Sequence, residues 1–405
     1  MLQSSCSLCF TDKQFFEKNM ENILKFILFM SVFLIVYNYI IYPAVIIVLS
    51  KIITDNHSMP ETDLTAHPHV SFIIAAYNEE AVIKNKLENT LRLNYPVDKL
   101  EIIVVSDGSN DSTSDIVLSF KDKGVIGLHD PVRAGKSSAL NRAISISSGE
   151  ILVFSDANND FSQDAIINLV KHFSDNKIGA VTGAKHIYES DSREASVGDG
   201  LYWRYESMIK RAESSLGSIT AADGEIVSVR KKLFKPIESF LINDDAAITF
   251  DIIKSGHRMI YEPQAKSYEQ ASKDLIDDMN VKIRMTAGGF QTLSHERKYL
   301  FPPRTWFAFG FLSHKMLRWI TPHLMLLTLL VSILLSGNGL YLLFLALQVV
   351  FYMLSLYGWL IRKTNKIKTW SYVPMYFTVM NIALFSGFVK YISNDYAVNW
   401  KKAKR

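Results

Sequence analysis

Apolar and polar positions follow two different rhythms along this chain. Phe26 to Ser50 carries no charged residue and is long enough to cross a bilayer. A second uncharged tract, Trp319 to Ile361, is interrupted by Gly337-Asn338-Gly339 and reads as two spans joined by a tight turn. Thr369 to Val389 adds another candidate span. Between these blocks the rhythm is shorter. Val70 to Ala76 predicts a strand, followed by Tyr77-Asn78-Glu79-Glu80 and a helix reaching about Leu93. Glu101 to Val105 predicts a second strand, ending at Ser106-Asp107-Gly108-Ser109, and the runs at Ile151 to Phe154 and Ala180-Val181 continue the series. Strand and helix alternate through about 110 residues, which implies an α/β domain with a mainly parallel sheet and right-handed crossovers.

The pattern divides the chain into a 1–21 tail, a 22–50 transmembrane helix and a 51–69 linker holding Pro60 and Pro68. A 70–300 α/β domain follows, closed by Pro302-Pro303. From Trp306 to Trp319 the aromatics Phe307, Phe309 and Phe311 mix with His314, Lys315 and Arg318. That mixture predicts an interfacial amphipathic helix over 301–320, rings in lipid and basic groups toward head groups. About three transmembrane helices over 321–392 and a basic 393–405 tail complete the plan.

Composition agrees with this division. Hydrophobic residues make up 48% of the chain and mean hydropathy is +0.10, the excess sitting in 23–50 and 306–392. A formal charge of +4 on 44 basic and 40 acidic residues is too balanced for a nucleic-acid partner. Arg362, Lys363, Lys366 and Lys368 predict a cytoplasmic loop, and with it a cytoplasmic α/β domain two crossings away. The same count puts both termini outside, against the preference of Lys401, Lys402, Lys404 and Arg405. Cys6 and Cys9 form a C-x-x-C without the second pair a zinc site needs, and give no disulfide framework.

Candidate chemistry gathers where strands end. In an open α/β sheet the polar residues after each strand line one edge, and Tyr77, Glu79, Asp107 and Asp156 all take that position. Asp156, Asn158 and Asp160 follow Ile151-Leu152-Val153-Phe154-Ser155; oxygen donors so closely spaced favour Mg²⁺ or Mn²⁺ and hence a phosphate, or else cap the next helix. Arg133-Ala134-Gly135-Lys136-Ser137-Ser138 imitates the tail of a P-loop, but Asp130 replaces the first glycine and no strand is expected to lead directly into it. A Gly-Lys before a helix (Ala139 to Ser145) can still approach a diphosphate. Asp244 and Asp245 open a helix that stops at Gly256. The helix dipole alone accounts for acids there, and the functional alternative is a general base. Arg284 with Gly288-Gly289 implies a close-packed cationic helix or turn.

These motifs, taken in order, resemble a family 2 glycosyltransferase of GT-A fold, of the membrane-embedded kind related to cellulose, chitin and hyaluronan synthases. The resemblance covers roughly residues 70–320 and the flanking spans. It implies that Ala76-Tyr77-Asn78-Glu79 lines the nucleoside pocket and that Asp107 receives the base or ribose. Gly135-Lys136 with Ala139-Leu140-Asn141 would lie beside the diphosphate, and Asp156-Ala157-Asn158 falls on the metal-binding D-x-D position. Asp244-Asp245 falls on the E-D motif, with Asp245 as catalytic base and Asp244 on the acceptor side, and Asp223-Gly224 matches the acceptor loop. Two departures stand out: Asn158 replaces the second D-x-D acid, with Asp160 as a possible compensating ligand. Val281, Arg284 and Met285 stand where processive synthases carry Q-x-x-R-W, so Arg284 remains for the pyrophosphate and the tryptophan is gone.

The resemblance implies inverting transfer from a nucleotide-sugar donor, UDP-linked, to a lipid-linked or membrane-proximal glycan acceptor, in a bacterial plasma membrane with the catalytic domain in the cytoplasm. The missing tryptophan and few spans point to transfer of one or a few sugars. The alternatives are a processive exopolysaccharide synthase and a catalytically inactive nucleotide-sugar-binding scaffold.

Overall fold

Near-continuous apolar runs such as Val70 to Ala76 are what a strand buried on both faces requires. In the computed structural model, which describes residues 4–54, 67–188, 193–270, 275–362, 364 and 368–395, they build one eight-stranded sheet. Its strands are β1 (Val70–Ala76), β2 (Leu100–Asp107), β3 (Val125–Asp130), β4 (Ile151–Asp156), β5 (Asn159–Phe161), β6 (Ile178–Ile187), β7 (Ile226–Arg230) and β8 (Arg258–Glu269). Their order is β3-β2-β1-β4-β7-β6-β8-β5. Alternation splits each buried strand between two cores. Phe72, Ile74, Val104 and Val153 face one, while Ile73, Ile103, Leu152 and Phe154 face the other.

The first half is parallel as expected, and its register aligns the chemistry. Asp156 lies opposite Ala75, Ser106 opposite Ala76, and Asp130 opposite Asp107. The second half is mixed: β7 runs antiparallel to both β4 and β6, and β5 antiparallel to β8, while β6 and β8 pair parallel, so most of the ladders are parallel as expected. One correction concerns the Gly-Lys turn. β3 does lead into it, ending at Asp130 before the loop that starts the helix Lys136–Ile146.

The chain forms two compact units. Unit 2 (Ala44–Lys315 with Gly387–Arg405) contains the sheet. Unit 1 (Met1–Pro43 with Met316–Ser386) is helical; in it Leu28, Val331, Leu335 and Tyr341 pack together, and Phe29 meets the rings of Tyr341 and Phe344 edge-on. Among the described residues four helices are long and apolar enough to cross a membrane: Phe16–Ile53, Trp306–Leu334, Gly339–Ile361 and Thr369–Ile392. The Gly337-Asn338-Gly339 break is real, and Asn338 caps the following helix by accepting from Leu340 N–H at 3.1 Å.

The separate interfacial helix is not formed. Trp306 to Leu334 is one helical run, passing through a π-turn at Leu312–Met316. His314 and Lys315 have partners within the protein. His314, fully buried, meets Glu213 at 2.9 Å, and Lys315 meets Glu206 at 3.0 Å. Carboxylates buried on the helix Arg193–Leu216 take the His314 ring nitrogen and the Lys315 ammonium as partners. The side chains of Cys6 and Cys9, residues 55–66 of the linker, Lys363, Lys366 and the basic tail from Lys401 to Arg405 lie outside the described residues.

Candidate active site

The strand ends are organised by Asp107. The last residue of β2, it is 4% exposed and accepts from Gly135 N–H at 2.7 Å, from Ala134 N–H at 3.2 Å and from Arg142 Nη2 at 2.6 Å. Both oxygens are therefore committed inside the chain. The residue expected to receive a base or ribose also holds the Arg133–Lys136 loop over the sheet edge. Arg142 also pairs with Asp130 at 2.9 Å, locking β3 to the helix. Gly108 (φ +71°) makes this closeness possible, because a Cβ there would lie 2.6 Å from the Arg133 nitrogen.

Ala76 ends β1, and Tyr77 follows it with the Arg133 guanidinium stacked 3.7 Å from its ring centroid. Glu79 is buried at 1% exposure; its N–H donates to Thr113 at 2.8 Å, and its carbonyl accepts from Val82 and Ile83 to start the next helix.

From Gly135 the chain enters the helix Lys136–Ile146, and Lys136 reaches across the edge. Its Nζ lies 2.9 Å from Asp156 and 3.2 Å from Asp244, joining β4 to the helix Asp244–Lys254. Burial alone would lower the Lys136 pKa, but the two carboxylates outweigh it and hold it above its ordinary value. Asp245 stands beside Asp244. Burial, and then the Asp244 charge, push its carboxyl up to about 6, against the Ala246 N–H that it accepts at 2.8 Å. Gly224 backs it closely, since a Cβ there would meet the Asp245 Cβ at 3.2 Å. The neighbouring Asp223 is held by Lys210 at 2.6 Å.

Arg284 completes the group from the helix Leu275–His295. Its pKa is lowered by burial, while Asp244, Asp156 and Asp245 act on it in the opposite direction. Its guanidinium makes no ion pair or hydrogen bond among the described residues, so a half-buried cation lies near three carboxylates without touching one. The helix fits this closely because Gly288 lies against Asn243, where a Cβ would be 2.5 Å from Oδ1.

Asn158 is oriented from behind. Its Nδ2 donates to Glu269 at 3.1 Å, and its Oδ1 is buried without a hydrogen-bond partner. Glu269 and Glu225 are bridged by Lys185, 2.6 Å from Glu225. An aspartate at 158 could not donate to Glu269. Asp160, the other acid of this stretch, belongs to β5 and accepts from Tyr188 Oη at 3.0 Å.

The structure thus brings Lys136, Asp156, Asp244, Asp245 and Arg284 together, with Asp107, Tyr77, Asp223 and Gly224 shaping their surroundings. Sequence reasoning missed Arg133, Arg142, Lys210 and Glu269. Arg142, a charged residue on the sheet side of an otherwise apolar helical face, was the one with a legible signal.

Residues 71–238 match the family described as Glycosyl transferase family 2. Among curated proteins, the chain is 29% identical over 229 residues to a poly-beta-1,6-N-acetyl-D-glucosamine synthase of Staphylococcus epidermidis, covering 55% of each chain. It is 27% identical over 273 residues to a synthase of the same name from Staphylococcus aureus, covering 66% of each. The chain therefore matches between about half and two thirds of the length of these relatives. Among solved structures, a mannosyltransferase from Pyrobaculum calidifontis, in complex with GDP-Man and Mn²⁺, superposes with a TM-score of 0.70 at 21% identity, over 91% of this chain and 99% of that one. Residues 71–238 are a glycosyl transferase family 2 domain, set on a GT-A fold.

Proposed function

We propose that this protein transfers a sugar, with inversion, from a nucleoside-diphosphate donor to a glycan acceptor at a membrane, and that the product is a polysaccharide. The observation that carries the reading is the group of three acids and two cations: Asp156, Asp244 and Asp245 around Lys136 and Arg284. A guanidinium with no ion-pair contact, near the same carboxylates that Lys136 touches, suits a departing diphosphate. A carboxyl raised to about 6 is matched to proton abstraction near neutral pH. The acceptor hydroxyl forms its bond to C1 while its proton passes to Asp245. The C1–oxygen bond to the diphosphate breaks, its electron pair staying on the phosphate oxygen, where Lys136 and Arg284 balance the charge.

Asp156 and the unpartnered Oδ1 of Asn158 would hold Mg²⁺ or Mn²⁺, with phosphate oxygens as further ligands. Bound there, the ion would supply additional charge neutralisation to the leaving group. No group of three or more His, Cys, Asp or Glu suited to a metal exists among the described residues, so the donor itself would complete the shell.

The relatives named as poly-beta-1,6-N-acetyl-D-glucosamine synthases favour chain formation over transfer of one or a few sugars, despite the lost Q-x-x-R-W tryptophan. UDP-N-acetylglucosamine is accordingly the first donor to test, with GDP-mannose as the comparison the solved structure supplies. Four apolar helices, and Arg362 and Lys368 between the last two, support a bilayer location with the transferase domain on the cytoplasmic side. The test is Asp245→Asn in the purified chain. Transfer is expected to fall by about 10²–10⁴ with donor binding still measurable, and retained turnover removes Asp245 as the base. Product length from radiolabelled donor separates polymer from single-sugar transfer.

A further inference from the structure

Beyond Asn158 the sheet carries a second cluster that the transfer chemistry does not use. β5 and β8 pair so that Asp160 lies opposite Tyr268, and β6 and β8 so that His186 lies opposite Tyr268. Side chains alternate along strands, so these three share one face, and Tyr188, two positions after His186, joins them. The rings form a ladder: His186 and Tyr268 lie 5.5 Å apart at 31°, Tyr188 and Tyr268 5.5 Å apart at 25°. Tyr188 is 42% exposed and donates its hydroxyl to Asp160.

Tyr188, Tyr268 and Asp160 line an open cleft of about 510 Å³. Its opposite wall is the helix Ile83–Leu91 with the residue that caps it. That helix buries Ile83, Lys86, Leu87 and Thr90. The face it turns to the cleft is polar throughout: Asn85, Glu88, Asn89 and Arg92, at i, i+3, i+4 and i+7. Asn89 is spent on structure, exchanging hydrogen bonds of 3.0 and 2.9 Å with the backbone of Phe161. The side chains of Asn85, Glu88 and Arg92 make no hydrogen bond or ion pair among the described residues. Glu88 and Arg92 stand one helical turn apart and leave their salt bridge unmade.

Flat rings facing unpaired planar amide, carboxylate and guanidinium groups suit a pyranose. Its C–H face lies on the ring, and its neighbouring hydroxyls bond in pairs to the planar groups. One cation, Arg92, against two acids, Glu88 and Asp160, does not suit a phosphate or a nucleotide. We propose that this cleft is a saccharide-binding site, separate from the transfer site, that holds a length of glycan chain. That this glycan is the protein's own acceptor or product rests on the transfer reading; the cleft's chemistry does not.

The experiment is titration of the full chain in detergent with a β-1,6-linked N-acetylglucosamine pentasaccharide, alongside donor turnover without it. Tyr188→Ala and Arg92→Ala are expected to weaken pentasaccharide binding roughly three- to tenfold and to leave basal donor turnover unchanged. Tyr188→Phe, which preserves the stack, is expected to keep most of the binding. Arg92, exposed and unpartnered, serves as the variant with no folding role. Pentasaccharide binding that neither alanine variant alters, no binding to the wild-type chain, or displacement by UMP with the same sensitivity to Tyr188→Ala each overturns the proposal. Absent donor turnover with Tyr188-dependent binding would sink the transfer reading and leave the cleft standing.

Discussion

Two lysines of the sheet-bearing unit, one half-buried and one fully buried, are driven in opposite directions by their surroundings. Lys136 touches two carboxylates, which hold its proton more tightly than an ordinary lysine would despite burial. Lys86, 1% exposed, touches none. Its Nζ donates to the Asn159 backbone oxygen at 2.8 Å and to Oδ1 at 3.0 Å, with the rings of Phe72 and Phe161 5.4 and 4.5 Å away. Burial dominates there and lowers its pKa to about 7, against the more distant Asp160, Asp156 and Glu225. Dipoles and ring faces stabilise a cation less than full charges in contact do. Lys136 is thus equipped to exchange carboxylates for phosphates, while Lys86 braces the strand beneath the site.

The contrast is broken most severely at Lys136. Lys136→Met would leave Asp156 and Asp244 without their shared cation, and donor turnover should fall by about 10²–10³. Initial-rate measurements check this, and Lys136→Arg should recover part of the loss.

Protonation of Asp245 provides the next lever. The groups acting on it are Asp244, Asp223, Lys136, Arg284 and the Ala246 N–H. A base must be unprotonated to work. Turnover should therefore decline about tenfold per pH unit once pH drops below about 6, and stay level above it. A profile that is flat down to pH 4.5 or so would contradict a base of this kind.

A smaller effect is expected at Asn158. Restoring the familiar acid with Asn158→Asp sets a carboxylate against Glu269, replacing a donated hydrogen bond by like-charge repulsion. Thermal unfolding should report a loss of about 1–3 kcal/mol, and adding Glu269→Gln should restore most of it.

The gentlest test is Lys86→Met. Because the folded pKa of about 7 lies below the unfolded value of 10.5, the wild-type chain should gain stability as pH rises from 7 to 10.5. The methionine variant should lack that rise. Parallel melting curves across the window would show that Lys86 titrates normally.

How much of this was readable beforehand differed along the chain. β1, β2 and β4 were legible because strands buried on both faces must be apolar runs, and their polar ends fall on one edge by topology. The helix Asp244–Lys254 was legible from its acidic first turn and the glycine that ends it. β7 and β5 were not, since short strands pairing antiparallel with distant partners leave no periodic signature. The interfacial helix was misjudged at His314 and Lys315 because basic residues among aromatics fit a membrane surface in sequence, and only folding supplied Glu206 and Glu213 as closer partners.

By itself the sequence determined the types of group available and the local elements that carry them: four apolar helices, strand-end acids, a Gly-Lys turn and an isolated arginine. Tertiary structure alone decided which charges meet. Whether Asp107 holds a loop, and whether a lysine's proton is held or loosened, depends on distances of about 3 Å between residues far apart in the chain. Coulombic and hydrogen-bond energies change steeply over that range, and no spacing along the sequence encodes them.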